Sequence, residues 1–160
     1  INNAGMGPRM ASHEVSEQLF DSVVNLNFKG PFRLASQIAK RMFDGAEVHG
    51  GGSIINVSST GAIMPLPEVI PYGSSKAALN AMSASMAAEY APHVRVNTLS
   101  PGPFLTDIAK AWTEEAREAT PNPRGRPADP QDILTAALFL ASPASINVTG
   151  TLVRCDGGQH

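Results

Sequence analysis

Apolar side chains recur at helical spacing through residues 14 to 43, where Val15, Leu19, Phe20, Val23, Val24 and Leu26 lead into Phe32, Leu34, Ile38, Ala39 and Met42. The pattern predicts one long helix, capped by Ser12 or Ser16 and stopped by Asp44-Gly45. Gly30-Pro31 interrupts it, and because proline cannot donate to the preceding turn a kink is predicted near Asn27. Gly50-Gly51-Gly52 then feeds the run 53 to 58, whose unbroken apolar character suits a strand buried on both faces of a parallel sheet. A Pro-rich loop, Met64 to Pro71, precedes a helix running to about Tyr90. Ala77, Ala78, Ala81, Ala84, Ala87 and Ala88 would let another helix approach it closely. A strand at 94 to 99 ends on Pro101-Gly102-Pro103. Residues 104 to 119 carry Phe104, Ile108 and Trp112 at four-residue steps and predict a helix. Residues 120 to 127 read as a loop, Asp129-Pro130 opens a helix ending near Ala141, and Thr151 to Cys155 makes the last strand. Strands alternating with helices predict an α/β sheet.

Composition narrows the partners. A chain of 160 residues with 42% hydrophobic side chains is long enough for one domain with its own core. A net charge of −2, with 16% charged residues, offers no basic face to nucleic acid or an anionic membrane. The longest apolar stretches fall short of the roughly 20 residues a membrane span needs, and the first residues lack a charged-then-apolar signal pattern, so a cytoplasmic location is expected. Cys155 is the single cysteine, and His13, His49, His93 and His160 show no ligand spacing. No metal site is expected.

The chemistry concentrates in Tyr72-Gly73-Ser74-Ser75-Lys76, with Ser59 upstream. Tyrosine has a pKa of about 10, and an ammonium one helical turn away favours its phenolate, making it a candidate general acid or base. The hydroxyl of Ser59, or of the adjacent Ser58, could hold a carbonyl oxygen beside it. With two Tyr and four Lys, a Tyr-x-x-x-Lys arises by chance roughly one time in twenty, so the neighbouring motifs decide.

Those motifs are Ile1-Asn2-Asn3-Ala4-Gly5, Val24 to Gly30, Arg95-Val96-Asn97 through Ser100-Pro101-Gly102-Pro103-Phe104-Leu105-Thr106, Val148-Thr149-Gly150 and Asp156-Gly157-Gly158. In this order, and with Ser59, Tyr72 and Lys76 at matching spacing, the chain resembles the short-chain dehydrogenase/reductase family from first residue to last. The resemblance implies a Rossmann-type, doubly wound parallel sheet and hydride transfer between NAD or NADP and a carbonyl/alcohol pair. It implies Tyr72 as proton donor, Ser59 as partner of the reacting oxygen, and Lys76 as both the cation that lowers the Tyr72 pKa and a ribose ligand. Asn27 would hold, through its backbone, a water linking Lys76 to solvent. Asn3, Ala4 and Gly5 would lie near the adenine ribose. Pro101-Gly102 would pass under the nicotinamide, with the Phe104 backbone and Thr106 hydroxyl near its carboxamide. Helices 14–43 and 72–90 correspond to the pair through which family members form homodimers or homotetramers. Ile108 and Trp112 would suit a lid, and Arg124 and Arg126 structural or solvated roles.

One departure stands out: the family's Thr-Gly-x-x-x-Gly-x-Gly turn, which receives the pyrophosphate, does not occur. The expectation is therefore a single partial domain, 1–160, forming the C-terminal part of the doubly wound sheet. A noncatalytic remnant acting through self-association is the rival reading. A sugar-nucleotide epimerase is disfavoured by the Pro-Gly and Asp-Gly-Gly segments, and an enoyl reductase by the four-residue Tyr-to-Lys spacing. On this reading the isolated 160-residue polypeptide shows no saturable dinucleotide binding below millimolar in an NADH or NADPH fluorescence titration, and light scattering finds it larger than a 16.8 kDa monomer.

Overall fold

A computed structural model describes residues 1–106 and 123–159. Three parallel strands, β1 (Gly52–Val57), β2 (Val94–Pro101) and β3 (Leu152–Cys155), lie side by side in that order. β1 and β2 run in register from Gly52–Val94 to Val57–Leu99, and β2 meets β3 from Thr98–Leu152 to Pro101–Cys155. On the far edge of β1, Asn2 adds a parallel bridge to Asn56. These strands match the segments read from the sequence to within two residues.

Neighbouring residues of β1 serve opposite faces, as the strand's two-residue period requires. Ile54 joins Ala35, Ala39, Leu79, Met82, Met86, Val94 and Val96 in one apolar cluster, while Ile55 joins Leu99 and Leu140 in another. The first cluster is roofed by helices α2 (Gly30–Asp44) and α4 (Ile70–Glu89). The second is roofed by α5 (Leu134–Ala141), which follows a 3-10 turn at Pro130–Ile133. A sheet covered on both faces explains the unbroken apolar run in β1.

The long first helix is divided. After a 3-10 turn at Ser12–Glu14, α1 (Glu17–Val24) is capped by Ser16, whose Oγ accepts from the Leu19 amide at 3.2 Å. A π-helical turn occupies Asn25–Lys29 before α2 begins, and the Gly30 amide reaches back to the Asn25 carbonyl. The interruption expected near Asn27 is thus a wide turn between two helical segments. Pro31 has no N–H for the Asn27 carbonyl, so the ladder widens where its α-helical donor is missing. After Gly45 a single further turn, α3 (Ala46–His49), leads to the glycine loop. The predicted helix 104–119 lies mostly outside the described residues. Where it is described it differs, because Phe104 forms a parallel bridge with Ala128 instead of a helical turn.

Arg95 and Asn97 on β2 are structural. The Arg95 guanidinium donates to the carbonyls of Leu140, Ser142 and Val148 and to Ser145 Oγ, and Asn97 takes both the Val148 carbonyl and the Thr151 amide. Together they fasten the turn before β3 to the sheet.

The first turn of α4 sits directly on a 3-10 turn at Thr60–Ala62, and a Cβ at Gly73 would lie 2.7 Å from the Gly61 carbonyl oxygen. Helix propensity alone favours alanine over glycine by up to about 1 kcal/mol. The contact with a backbone atom outweighs that, so Gly73→Ala is expected to destabilise the chain by about 1–3 kcal/mol in urea denaturation.

Candidate active site

Parallel strands bring their carboxyl ends to one edge of the sheet, where α/β folds place their ligand crevices. The segment after Asn2, the residues after Val57, the Pro101-Gly102 turn and Asp156 all reach that edge by the observed register. Ser58 and Ser59 point to opposite sides as the strand ends. Ser58 Oγ donates to the Lys76 carbonyl at 3.3 Å and is buried, whereas Ser59 Oγ accepts from the Gly61 amide at 3.1 Å and is close enough to the Tyr72 phenol to act on its pKa. Of the two hydroxyls, that of Ser59 is the one on the side of Tyr72.

Lys76 lies one turn after Tyr72 on α4 and is 3% exposed; its Nζ donates to the Val57 carbonyl at 2.8 Å and lies 6.0 Å from the centre of the Tyr72 ring. Burial lowers the Lys76 pKa from 10.5 to about 8. The Tyr72 pKa is raised, since burial outweighs the opposing effect of the nearby Ser59 hydroxyl. This corrects the expectation that Lys76 makes Tyr72 more acidic. In the protein alone, desolvation disfavours both charged forms, and Tyr72 at neutral pH is a protonated phenol.

Asn27 is fully buried, and its side chain, rather than only its backbone, is engaged. Oδ1 accepts from the Met6 amide at 2.9 Å, and Nδ2 donates to the Met6 carbonyl at 2.8 Å and to Ser75 Oγ at 3.1 Å. Ser75 Oγ in turn donates to the Tyr72 carbonyl at 2.7 Å. Asn27 therefore ties the segment after Gly5 to α4. Sequence reasoning missed Ser75, whose only signal is its place three residues after Tyr72.

Gly5 approaches the same cluster: a Cβ there would lie 3.3 Å from Lys76 Nζ and 3.4 Å from Asn27 Oδ1. Asn3 and Ala4 are exposed at the sheet edge. Pro101-Gly102 is packed on the Asp156-Gly157 turn. The Gly102 amide donates to the Cys155 carbonyl at 3.0 Å, and a Cβ at Gly102 would lie 2.7 Å from Asp156 Cα. Asp156 is pinned by Arg154 at 2.6 Å and by the Gly158 amide at 3.0 Å. Phe104 is buried, with its backbone neighbours paired to Ala128, and Thr106 is exposed. Ile108 and Trp112 lie outside the described residues. Arg124 pairs with Asp132 at 3.2 Å, and Arg126 with Asp129 and Asp132 at 3.4 and 3.9 Å. Among the described residues no group of His, Cys, Asp or Glu could hold a metal ion, and no helix is long and apolar enough to cross a membrane.

A family model described as "Enoyl-(Acyl carrier protein) reductase" matches residues 1–160. A solved structure described as a short chain dehydrogenase/reductase family protein superposes with a TM-score of 0.89 at 35% identity, covering 98% of this chain and 64% of that one. The chain belongs to the short-chain dehydrogenase/reductase family. Among curated members it is 36% identical to the D-threitol dehydrogenase of Mycolicibacterium smegmatis, over 99% of this chain and 61% of that protein. It is 34% identical to the NAD-dependent glycerol dehydrogenase of Listeria innocua serovar 6a, over 98% of this chain and 62% of that protein. The chain thus spans about three fifths of the length of these relatives.

For this family member the buried ammonium has a measurable consequence. Between about pH 8 and 10.5 the unfolded chain binds more protons at Lys76 than the folded one, so this group makes stability rise with pH across that window and fall as pH drops through it. Lys76→Met removes that burden along with one hydrogen bond to Val57. The variant is expected to be more stable than the parent by about 1–2 kcal/mol at pH 7, with the advantage gone by about pH 10.5. Urea midpoints across that range check it.

Proposed function

We propose that this chain carries the proton-transfer centre of an NAD(P)-dependent oxidoreductase that interconverts a carbonyl and an alcohol, with Tyr72 as general acid/base. The observation that carries the reading is the half-buried Tyr72 phenol, with the Ser59 hydroxyl beside it and the buried Lys76 ammonium behind it at the carboxyl edge of a parallel sheet. In the reductive direction Tyr72, protonated because burial raises its pKa, gives its proton to the carbonyl oxygen while the Ser59 hydroxyl steadies that oxygen. Hydride to the carbonyl carbon is the chemistry the dinucleotide supplies when bound. Lys76 and Asn27 then stand on the route by which the Tyr72 phenolate regains a proton.

The residues present fit the nicotinamide end of such a cofactor. An ammonium has three N–H donors, and Lys76 spends one on the Val57 carbonyl, leaving two for ribose hydroxyls. Ser100 Oγ, at the entry to the Pro101-Gly102 turn, is buried with no hydrogen-bond partner among the described residues. Gly5, Pro101, Gly102, Phe104 and Thr106 belong to the cofactor side of this reading, with Asn3 and Ala4 at its outer edge. Both curated relatives named above are dehydrogenases of small polyols, which supports a small hydroxylated or carbonyl compound as substrate. The four-residue Tyr72–Lys76 spacing favours carbonyl chemistry over enoyl reduction.

Self-association is part of the proposal. Phe20, Leu26, Phe32 and Leu34 are exposed on the divided first helix, and Ala77, Ala81, Ala84 and Ala88 are exposed along α4, which supports homodimers or homotetramers packed through these helices in the cytoplasm.

In a polypeptide carrying this segment with a complete dinucleotide site, Tyr72→Phe is expected to cut turnover by roughly 10²–10⁴-fold while cofactor affinity stays within a few-fold, because only the transferable proton is lost. Steady-state kinetics with a fluorescence binding titration make the test. Near-normal turnover in that variant would sink the mechanism.

A further inference from the structure

The segment Met6 to Met10 crosses the face of the Tyr72 ring. A Cβ at Gly7 would lie 3.0 Å from both Cγ and Cδ2 of Tyr72, so the glycine backbone rests on the ring with no side chain between them. Across the ring, a Cβ at Gly61 would lie 3.6 Å from Tyr72 Cε1. The segment is fastened at both ends. At Met6, Asn27 takes the amide and the carbonyl together. At the other end the Met10 amide donates to the Glu68 carbonyl at 2.7 Å, and Arg9 donates to the Glu68 carboxylate through Nη2 at 2.8 Å and Nε at 3.2 Å.

Glu68 pays for this position with its backbone: its φ of 65° is the only positive value at a non-glycine residue among those described. A left-handed glutamate persists only where its surroundings hold it, and such residues gather at functional sites. The Arg9 and Glu68 side chains are 63% and 56% exposed, a setting in which an ion pair adds little to overall stability. A loop residue four positions before Tyr72 is thus strained, and bonded to a segment whose glycine rests on the Tyr72 ring.

We propose that Gly7, Arg9, Met10 and Glu68 form a clasp that positions the Tyr72 phenol, with Gly7 as the plate under the ring and the Arg9–Glu68 and Met10–Glu68 contacts as its outer fastening. These are positioning residues that act through Tyr72, and their effect on catalysis rests on the reading of Tyr72 as acid/base. The clasp keeps water from one face of the ring, which accords with the raised Tyr72 pKa. The other groups facing the phenol are Lys76 from its own helix and Ser59 from the end of β1.

The chain contains two tyrosines, so Tyr90→Phe leaves Tyr72 as the only one, and its ionisation can be read by phenolate absorbance in the 160-residue polypeptide without cofactor. In that background Gly7→Ala, which crowds the ring, and Arg9→Met, which frees Glu68, are each expected to lower the Tyr72 midpoint by about half a unit or more as water reaches the phenol. Arg9→Met separates the clasp from simple charge effects: an unpaired Glu68 carboxylate acting through space would raise the midpoint. An unchanged or raised midpoint in both variants, with circular dichroism showing them folded, overturns the clasp. In a polypeptide with a complete dinucleotide site, Gly7→Ala is expected to lower kcat about tenfold with the carbonyl KM within twofold; equal kcat in variant and parent overturns the positioning role. Undiminished turnover in Tyr72→Phe fells the acid/base reading instead, whatever the titration gives.

Discussion

Burying an ammonium at the end of a strand is the constraint around which this structure is arranged. Lys76 is held almost out of solvent by one carbonyl acceptor, that of Val57, and it loses charge readily as a result, with its pKa brought down to about 8. The groups nearest to it are tolerated because they bring no competing charge. Gly5 leaves room beside Nζ, Asn27 presents an amide already satisfied by Met6 and Ser75, and Tyr72 stays a neutral phenol. An uncompensated charge in that position costs stability, and proteins accept such a cost mainly where the group does chemistry.

The same region shows how buried polar groups can be made safe. Asn27 joins the first helix, the segment after Gly5 and α4 through three hydrogen bonds, and it sits in the π-helical turn that precedes Pro31. Asn56 does a parallel job inside the sheet, accepting from Asn2 at 2.7 Å and donating to Ser83 Oγ at 2.8 Å. In each case an amide with donors and acceptors on one flat head bridges elements far apart in sequence, so it fixes geometry without a formal charge.

Close backbone approach does the rest. Gly73 lets α4 settle on the carbonyl of Gly61, and Gly102 lets the turn after β2 settle on Asp156. The first contact aims Tyr72 at Ser59. The second connects the Asp156-Gly157-Gly158 segment to the Pro101-Gly102 turn, which gives a physical reason for two sequence-distant motifs to occur together.

What the sequence determined by itself was the order of elements and the placing of Tyr72 and Lys76 one turn apart on a single helix. Strand and helix periodicities are local, so β1, β2, β3 and α4 could be read to within about two residues, and the spacing of Tyr72 and Lys76 puts them on one helix face wherever that helix lies. Only the tertiary structure decided matters that depend on what surrounds a group. Periodicity placed Ser58 and Ser59 equally well, and the direction in which the strand leaves the sheet put Ser59 on the Tyr72 side and Ser58 on the Lys76 carbonyl. Spacing argued that Lys76 lowers the Tyr72 pKa, whereas burial, a property of everything packed around the pair, raises it. Gly7, Ser75 and the strained Glu68 were invisible in sequence because their partners lie up to 65 positions away in the chain, and a side chain's solvent and neighbours are set by that long-range packing rather than by its own local pattern.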